Sequence, residues 1–298
     1  MMRLQSSVMF LRWGCNMKWV FSLLLLFFFH SACAGILFQD PTRDELNAAI
    51  KDMTLSGLEK MVGDDKGSGD YYLGLIYLNG SKRFGVEKNC DKSSELLRQA
   101  WQKGIVDAGY MLSVMSYRGI CMEKDFNRAK TLAQKTADEG YLLSQRMLGR
   151  AYLGSEWQGL YKKNFDKAVF WLGKAGESGD SESAAKLSYL YREGVGVKRD
   201  EKLSFYWLKK ASFSRFDPGE IIYFPSLAEY YENGIGTSVN LVEAYKYYDL
   251  SGSAGVDDKQ RIAKKMTQDQ IDEAIRQSQE WQKEHNVQVG GGSIRRAN

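Results

Sequence analysis

Histidine is nearly absent from this chain, with two in 298 residues. One of them, His30, sits in an apolar N-terminal stretch, which leaves His285 alone near the other end. A Ser-His-Asp, Cys-His or histidine–metal centre therefore has too few parts to be assembled. Cysteine is scarce too, at four, and no Cys-x-x-Cys spacing points to zinc or redox chemistry. An excess of charge of one sign is also missing. The formal charge of +4 is concentrated at the start: Arg3, Arg12 and Lys18 all precede the first acidic residue, and without them 38 basic residues face 37 acidic ones. No basic face remains to track phosphate, which argues against a nucleic-acid partner.

Residues 1–34 read as an export leader. Lys18 precedes an apolar run that ends in Ala32-Cys33-Ala34, the small-residue pattern of a cleavage site. Met17-Lys18 is where such a signal would normally begin, so the true start is placed at either residue 1 or residue 17. The run is too short and too abruptly ended for a spanning helix. An uncleaved N-terminal anchor and lipidation at Cys33 stand beside this reading, although His30 occupies the place of the aliphatic residue that a lipoprotein box expects. The expected location is periplasmic, with the membrane touched only through the leader or a lipid on Cys33. Removal of the leader takes Cys15 and Cys33 with it. The remaining pair, Cys90 and Cys121, favours a disulfide in an exported chain.

The rest of the chain repeats itself. "YREGVGVKRDEKLSFYWLKKA" from Tyr191 is nearly copied from Tyr231 as "YENGIGTSVNLVEAYKYYDLS". Aligned on the ends of presumed first helices at Gly80, Gly119, Ser155, Gly194 and Gly234, the unit is about 36 residues with short insertions. In those first helices Leu73, Leu112, Leu148, Leu187 and Leu227 form one column. The next residue is always small: Gly74, Ser113, Gly149, Ser188 or Ala228. Each second helix opens behind Asn89, Asp125, Asn164, Asp200 or Asn240, side chains suited to cap a free backbone N–H. It continues with small residues (Ser93, Ala129, Ala168, Ser204, Ala244), then bulky ones three later (Leu96, Leu132, Trp171, Trp207, Tyr247). Small residues return four further on (Ala100, Thr136, Ala175, Ala211, Ser251). These positions share one helix face, where small residues admit close helix approach and the bulky one fills the gap between units. Gly104, Gly140, Gly179 and Gly255 are expected to close the second helices in the left-handed conformation.

This column pattern resembles the Sel1-like repeat family, helical hairpins related to tetratricopeptide repeats. The resemblance implies an all-α fold, a right-handed α-solenoid of five hairpins over residues 67–257. Capping helices are expected at 35–66 and 258–286, with capping boxes at Thr42 to Glu45 and Thr267 to Gln270. Residues 287–298 are expected to be a flexible tail. Cys90 opens a second helix, and Cys121, in the next unit's loop, replaces the glycine seen at Gly196 and Gly236; adjacent loops of a stacked array lie on one edge, so a Cys90–Cys121 bridge would join the first two units.

The family resemblance implies a non-catalytic protein–protein interaction scaffold without a cofactor or metal. The implied partner is another protein, bound and regulated or neutralised, for example by an immunity protein that blocks an antibacterial toxin or by a regulator of an envelope enzyme. Mapping the geometry of such arrays puts Tyr71, Tyr110, Tyr117, Arg118, Arg146, Arg150, Tyr189, Arg192, Glu229 and Glu232 on the concave face, and Tyr and Arg are favoured at binding hot spots. Two insertions add a second candidate surface: Trp157 and Tyr161 in one, Ile221, Tyr223 and Phe224 in the other. Because a few cysteine-rich relatives have been described in those terms, a peptidoglycan- or β-lactam-binding protein or weak hydrolase is the alternative.

Overall fold

The computed structural model describes residues 35–40, 44–63, 66–216, 221–290 and 293–296. The leader, with its start, cleavage and lipidation assignments, lies outside them. Two short helices, α1 (Asp44–Ile50) and α2 (Leu55–Met61), precede five helical hairpins. The hairpins are α3 (Ser68–Asn79) with α4 (Cys90–Gln102), α5 (Val106–Arg118) with α6 (Phe126–Asp138), α7 (Leu142–Leu153) with α8 (Phe165–Glu177), α9 (Ser181–Glu193) with α10 (Glu201–Ser212), and α11 (Phe224–Asn233) with α12 (Leu241–Leu250). A 3₁₀ turn (Gly252–Gly255), α13 (Val256–Ala263) and α14 (Gln268–Glu284) follow.

The column residues make the array. The first-helix leucines are buried at all five positions, each burial contributing about 1.5–3 kcal/mol. A Cβ on Gly74 would lie 2.8 Å from Leu97 Cγ, and one on Gly149 2.6 Å from Leu172 Cγ, so the small column is what lets the two helices of a hairpin close. Where that column holds serine on the second helix, its hydroxyl finds a carbonyl across the hairpin: Ser93 Oγ donates to Gly74 O at 2.9 Å, and Ser204 Oγ to Ser188 O at 2.8 Å. All five Asn or Asp caps accept the backbone N–H three residues on, at 2.9–3.1 Å. Each cap satisfies a donor that the helix leaves free.

Cys90 and Cys121 are joined, with Cα atoms 4.7 Å apart. Cys121 holds φ +57°, close to Gly196 at +71° and Gly236 at +67°. In a later pair of units the same contact is made without a bond: Gly196 lies so close to the Phe165 ring that a Cβ there would be 2.0 Å away.

The ends differ from expectation in two places. The box expected at Thr42 lies outside the described residues; among those described, Glu45 accepts from the backbone of Gln39 and Asp40 at 3.1 and 3.4 Å, and Asp40 accepts from Glu45 N at 3.0 Å. Gly255 is not left-handed; its φ is −100° inside the 3₁₀ turn, and Gly252, at +62°, makes the reversal. The tail expected to be flexible forms a hairpin of β1 (Val287–Gly290) and β2 (Ser293–Arg296). Val287 is buried and Val289 packs on the C-terminal core, its N–H donating to Gln282 Oε1 at 2.8 Å. A period-two pair of valines supplies this seat where glycine content suggested none. The box at Thr267 forms in both directions, as expected.

Candidate interaction face

The first helices of three consecutive hairpins, α3, α5 and α7, line a cavity of about 680 Å³. Six of the expected binding residues meet there: Tyr71, Tyr110, Tyr117, Arg118, Arg146 and Arg150. Tyr71 is buried rather than offered, its ring 6.4 Å from that of Phe38. Tyr110 tilts against Tyr141 at 5.3 Å, and Tyr117 stacks flat on Trp157 at 4.5 Å. Arg146 pairs with Asp180 at 3.1 Å, and Arg150 with Glu156 at 2.8 Å and with Glu182. Arg118 is exposed and, among the described residues, has no ion-pair or hydrogen-bond partner.

The remaining four are not brought to this cavity. Tyr189 is half exposed on α9. Arg192 pairs with Glu229 at 2.7 Å and lies over the Tyr230 ring, and hydrogen bonding to Glu229 holds its pKa above the ordinary value. Glu232 is a correction: it is buried, bonded by Arg261 of α13 and by the Tyr248 hydroxyl at 3.0 Å. Hydrogen bonding from Arg261 keeps its carboxyl below the usual range. It ties α13 to the last hairpin, and both of its carboxylate oxygens are already engaged there.

The second candidate surface is also corrected. Trp157, Ile221 and Phe224 are buried, while Tyr161 and Tyr223 are half-buried. Burial of Tyr161 pushes its hydroxyl pKa well above the ordinary value. The aromatics of these insertions fill gaps between units, where a loop must replace regular helix packing. Only Ile222 of that run, 67% exposed, faces outward.

A Ser-x-x-Lys spacing does occur, at Ser183 and Lys186 of α9. Ser183 is buried, Lys186 is exposed with Nζ 5.5 Å from the Tyr189 ring centroid, and no hydrogen bond joins the two among the described residues. They are not arranged as nucleophile and base.

What sequence reasoning missed is the segment 35–40, which lies across the first-helix face. Gly35 N donates to Gly104 O at 2.8 Å and Val106 N to Gly35 O at 2.9 Å. The carboxylate of Asp107 accepts from Leu37 N at 2.8 Å and Phe38 N at 3.1 Å, and Gln39 Oε1 accepts from Leu142 N at 3.3 Å. The Phe38 ring rests 6.1 Å from Tyr72. Asp107 is fully buried, and burial pushes its pKa up to about 6 despite the two amides that favour its charge. Its only sequence signal was an acid between Val106 and Ala108 at the start of an apolar helix. Phe38, Tyr72, Tyr141 and Phe84 also line the cavity. Among the described residues no helix is long and apolar enough to cross a membrane, and no cluster of candidate metal ligands occurs.

The Sel1 repeat model matches residues 68–104, 106–141, 142–180, 181–212 and 226–256, together more than half of the chain. A relative in Neisseria meningitidis serogroup B, itself uncharacterized, is 23% identical over 173 residues, covering 58% of this chain and 34% of its own length. A crystal structure of a protective antigen present in uropathogenic Escherichia coli strains superposes with a TM-score of 0.60 at 23% identity, over 76% of this chain and 48% of that one. A Sel1 repeat protein from Oxalobacter formigenes has a TM-score of 0.47 at 21% identity, over 70% of this chain and 56% of that one. This chain therefore spans about a third of the curated relative and about half of each of these two solved structures. Five matched repeats on a helical-hairpin fold place the chain in the Sel1 repeat family.

Proposed function

We propose that the chain is a non-catalytic scaffold of the periplasm that binds a partner protein on the face built by its first helices and so regulates or neutralises it. The observation that carries this reading is the aromatic, arginine-bearing cavity shared by α3, α5 and α7. Stacked hairpins present one helix of each unit along a continuous face, and rigid aromatics with arginine are the side chains that give such a face binding energy. Blocking an enzyme or a toxin by occlusion asks only for complementarity, and a net charge near zero leaves specificity to contacts made at close range. An immunity protein and a regulator of an envelope enzyme are both scaffolds of this kind.

The test compares substitutions on opposite faces, using a partner captured from the source cells by the exported chain. Arg118→Glu with Tyr189→Ala changes exposed first-helix positions, while Phe170→Ala changes an exposed second-helix position. The first pair is expected to weaken affinity at least about tenfold, and the second to leave it within about twofold. The reverse ranking would remove the first-helix face from consideration.

A further inference from the structure

The segment 35–40 displays how this face takes a peptide chain. Two consecutive backbone N–H groups go to one buried carboxylate, Asp107, and a parallel backbone contact forms between Gly35 and Ile105. Phe38 meets Tyr71 and Tyr72, at ring distances of 6.4 and 6.1 Å. Phe38 and Asp40 of this segment line the cavity together with Leu46 and Ile50 of α1. Its lining is mixed: apolar and aromatic side chains, among them Val114, Met111, Tyr117 and Trp157, stand beside Asn79, Ser81 and the arginines.

Of the two acids that line the cavity, Asp40 is buried and accepts from Glu45 N at 3.0 Å, and Glu156 pairs with Arg150. Arg146 and Arg150 are already matched by Asp180, Glu182 and Glu156. Arg118 alone lines the cavity exposed and unmatched among the described residues. A guest is therefore asked for one bulky apolar group and one anion.

We infer that the cavity is a side-chain socket for a partner's peptide segment, taking a large apolar residue whose neighbouring Asp or Glu carboxylate pairs with Arg118. The inference rests on the scaffold reading and narrows it to one place and one chemistry. A peptide is favoured over a free amphiphile because the adjacent groups already bind a polypeptide backbone. Arginine suits a carboxylate through its forked donors, and an aromatic-lined pocket holding one side chain is how a few residues come to dominate an interface.

The test is selection of a random-peptide phage library on the full mature protein, followed by binding of the synthetic consensus peptide measured by fluorescence anisotropy. Enriched sequences are expected to place Phe, Trp, Leu or Met beside Asp or Glu. Replacing that acid by its amide, or Arg118 by Glu in the protein, is expected to weaken binding about tenfold. Arg118 is exposed, so its substitution leaves the fold intact, and an unchanged circular dichroism melt checks this. Failure to enrich any sequence, enrichment of basic peptides, or indifference to Arg118→Glu would overturn the socket. Binding of dodecanoate in competition with the peptide and more tightly than it would overturn the peptide assignment. If the selected peptides ignore Arg118→Glu but are lost on Tyr189→Ala, the socket fails and the scaffold reading stands. If they ignore both, the first-helix face itself is in error.

Discussion

Phe224→Ala is expected to cost about 3–5 kcal/mol of stability, the range for emptying a packed aromatic site. Phe224 is fully buried, with ring centroids 5.1 Å from Tyr247, 5.2 Å from Trp281 and 5.9 Å from Phe213. It opens α11 at the junction where the repeat lengthens, and its ring bridges the last hairpin to the closing helix α14. The same residue in a solvent-facing loop would change stability by less than about 0.5 kcal/mol on truncation. The two roles thus differ by several-fold in one measurement, the urea midpoint of the variant against the parent. The loss is expected first at the C-terminal end, because in an array each unit depends on its neighbours. A midpoint unchanged within error would return Phe224 to the surface.

Removal of the Cys90–Cys121 bridge is expected to cost about 3–4 kcal/mol on the loop-entropy account, since it closes 31 residues of separation. Cys121 occupies a left-handed backbone position that Gly196 and Gly236 fill elsewhere, so Cys121→Ser keeps the unfavourable φ and loses the bond. The pair Cys90→Phe with Cys121→Gly rebuilds the contact of Phe165 with Gly196 and relieves that backbone cost. It is expected to recover a good part of what the serine variant loses, as read from thermal midpoints without reductant. Two titratable thiols in the denatured, unreduced mature parent, which lacks Cys15 and Cys33, would show that no bridge exists to remove.

The repeated units were legible because their physics is local and repeated. A leucine column, a small neighbour and an Asn or Asp cap each state their role in sequence, and five copies state it together. The bridge was legible for the same reason, since Cys90 falls in the column of Phe126 and Phe165 and Cys121 in that of Gly196 and Gly236, in adjacent units. Contacts that break the repeat were hidden. Residues 35–40 meet Asp107 across a separation of about 70 positions, and neither partner belongs to a column. Trp157 resembles a spare aromatic in an insertion, yet it takes φ +46° and stacks on Tyr117; its burial is decided by the neighbouring unit. Glu232 reads as a groove acid because α11 aligns with the other first helices, but Arg261 lies outside the repeat and claims it. Column alignment assigns residues to a helix face and is blind to what the capping elements lay upon that face.

Amide hydrogen exchange of the complex with its captured partner tests the central claim most directly, because it reads both helix sets in one experiment. Slower exchange is expected along α3, α5, α7 and α9 and at residues 35–40, with α6, α8 and α10 unchanged. Protection confined to α6, α8 and α10 would contradict a partner held on the first-helix face.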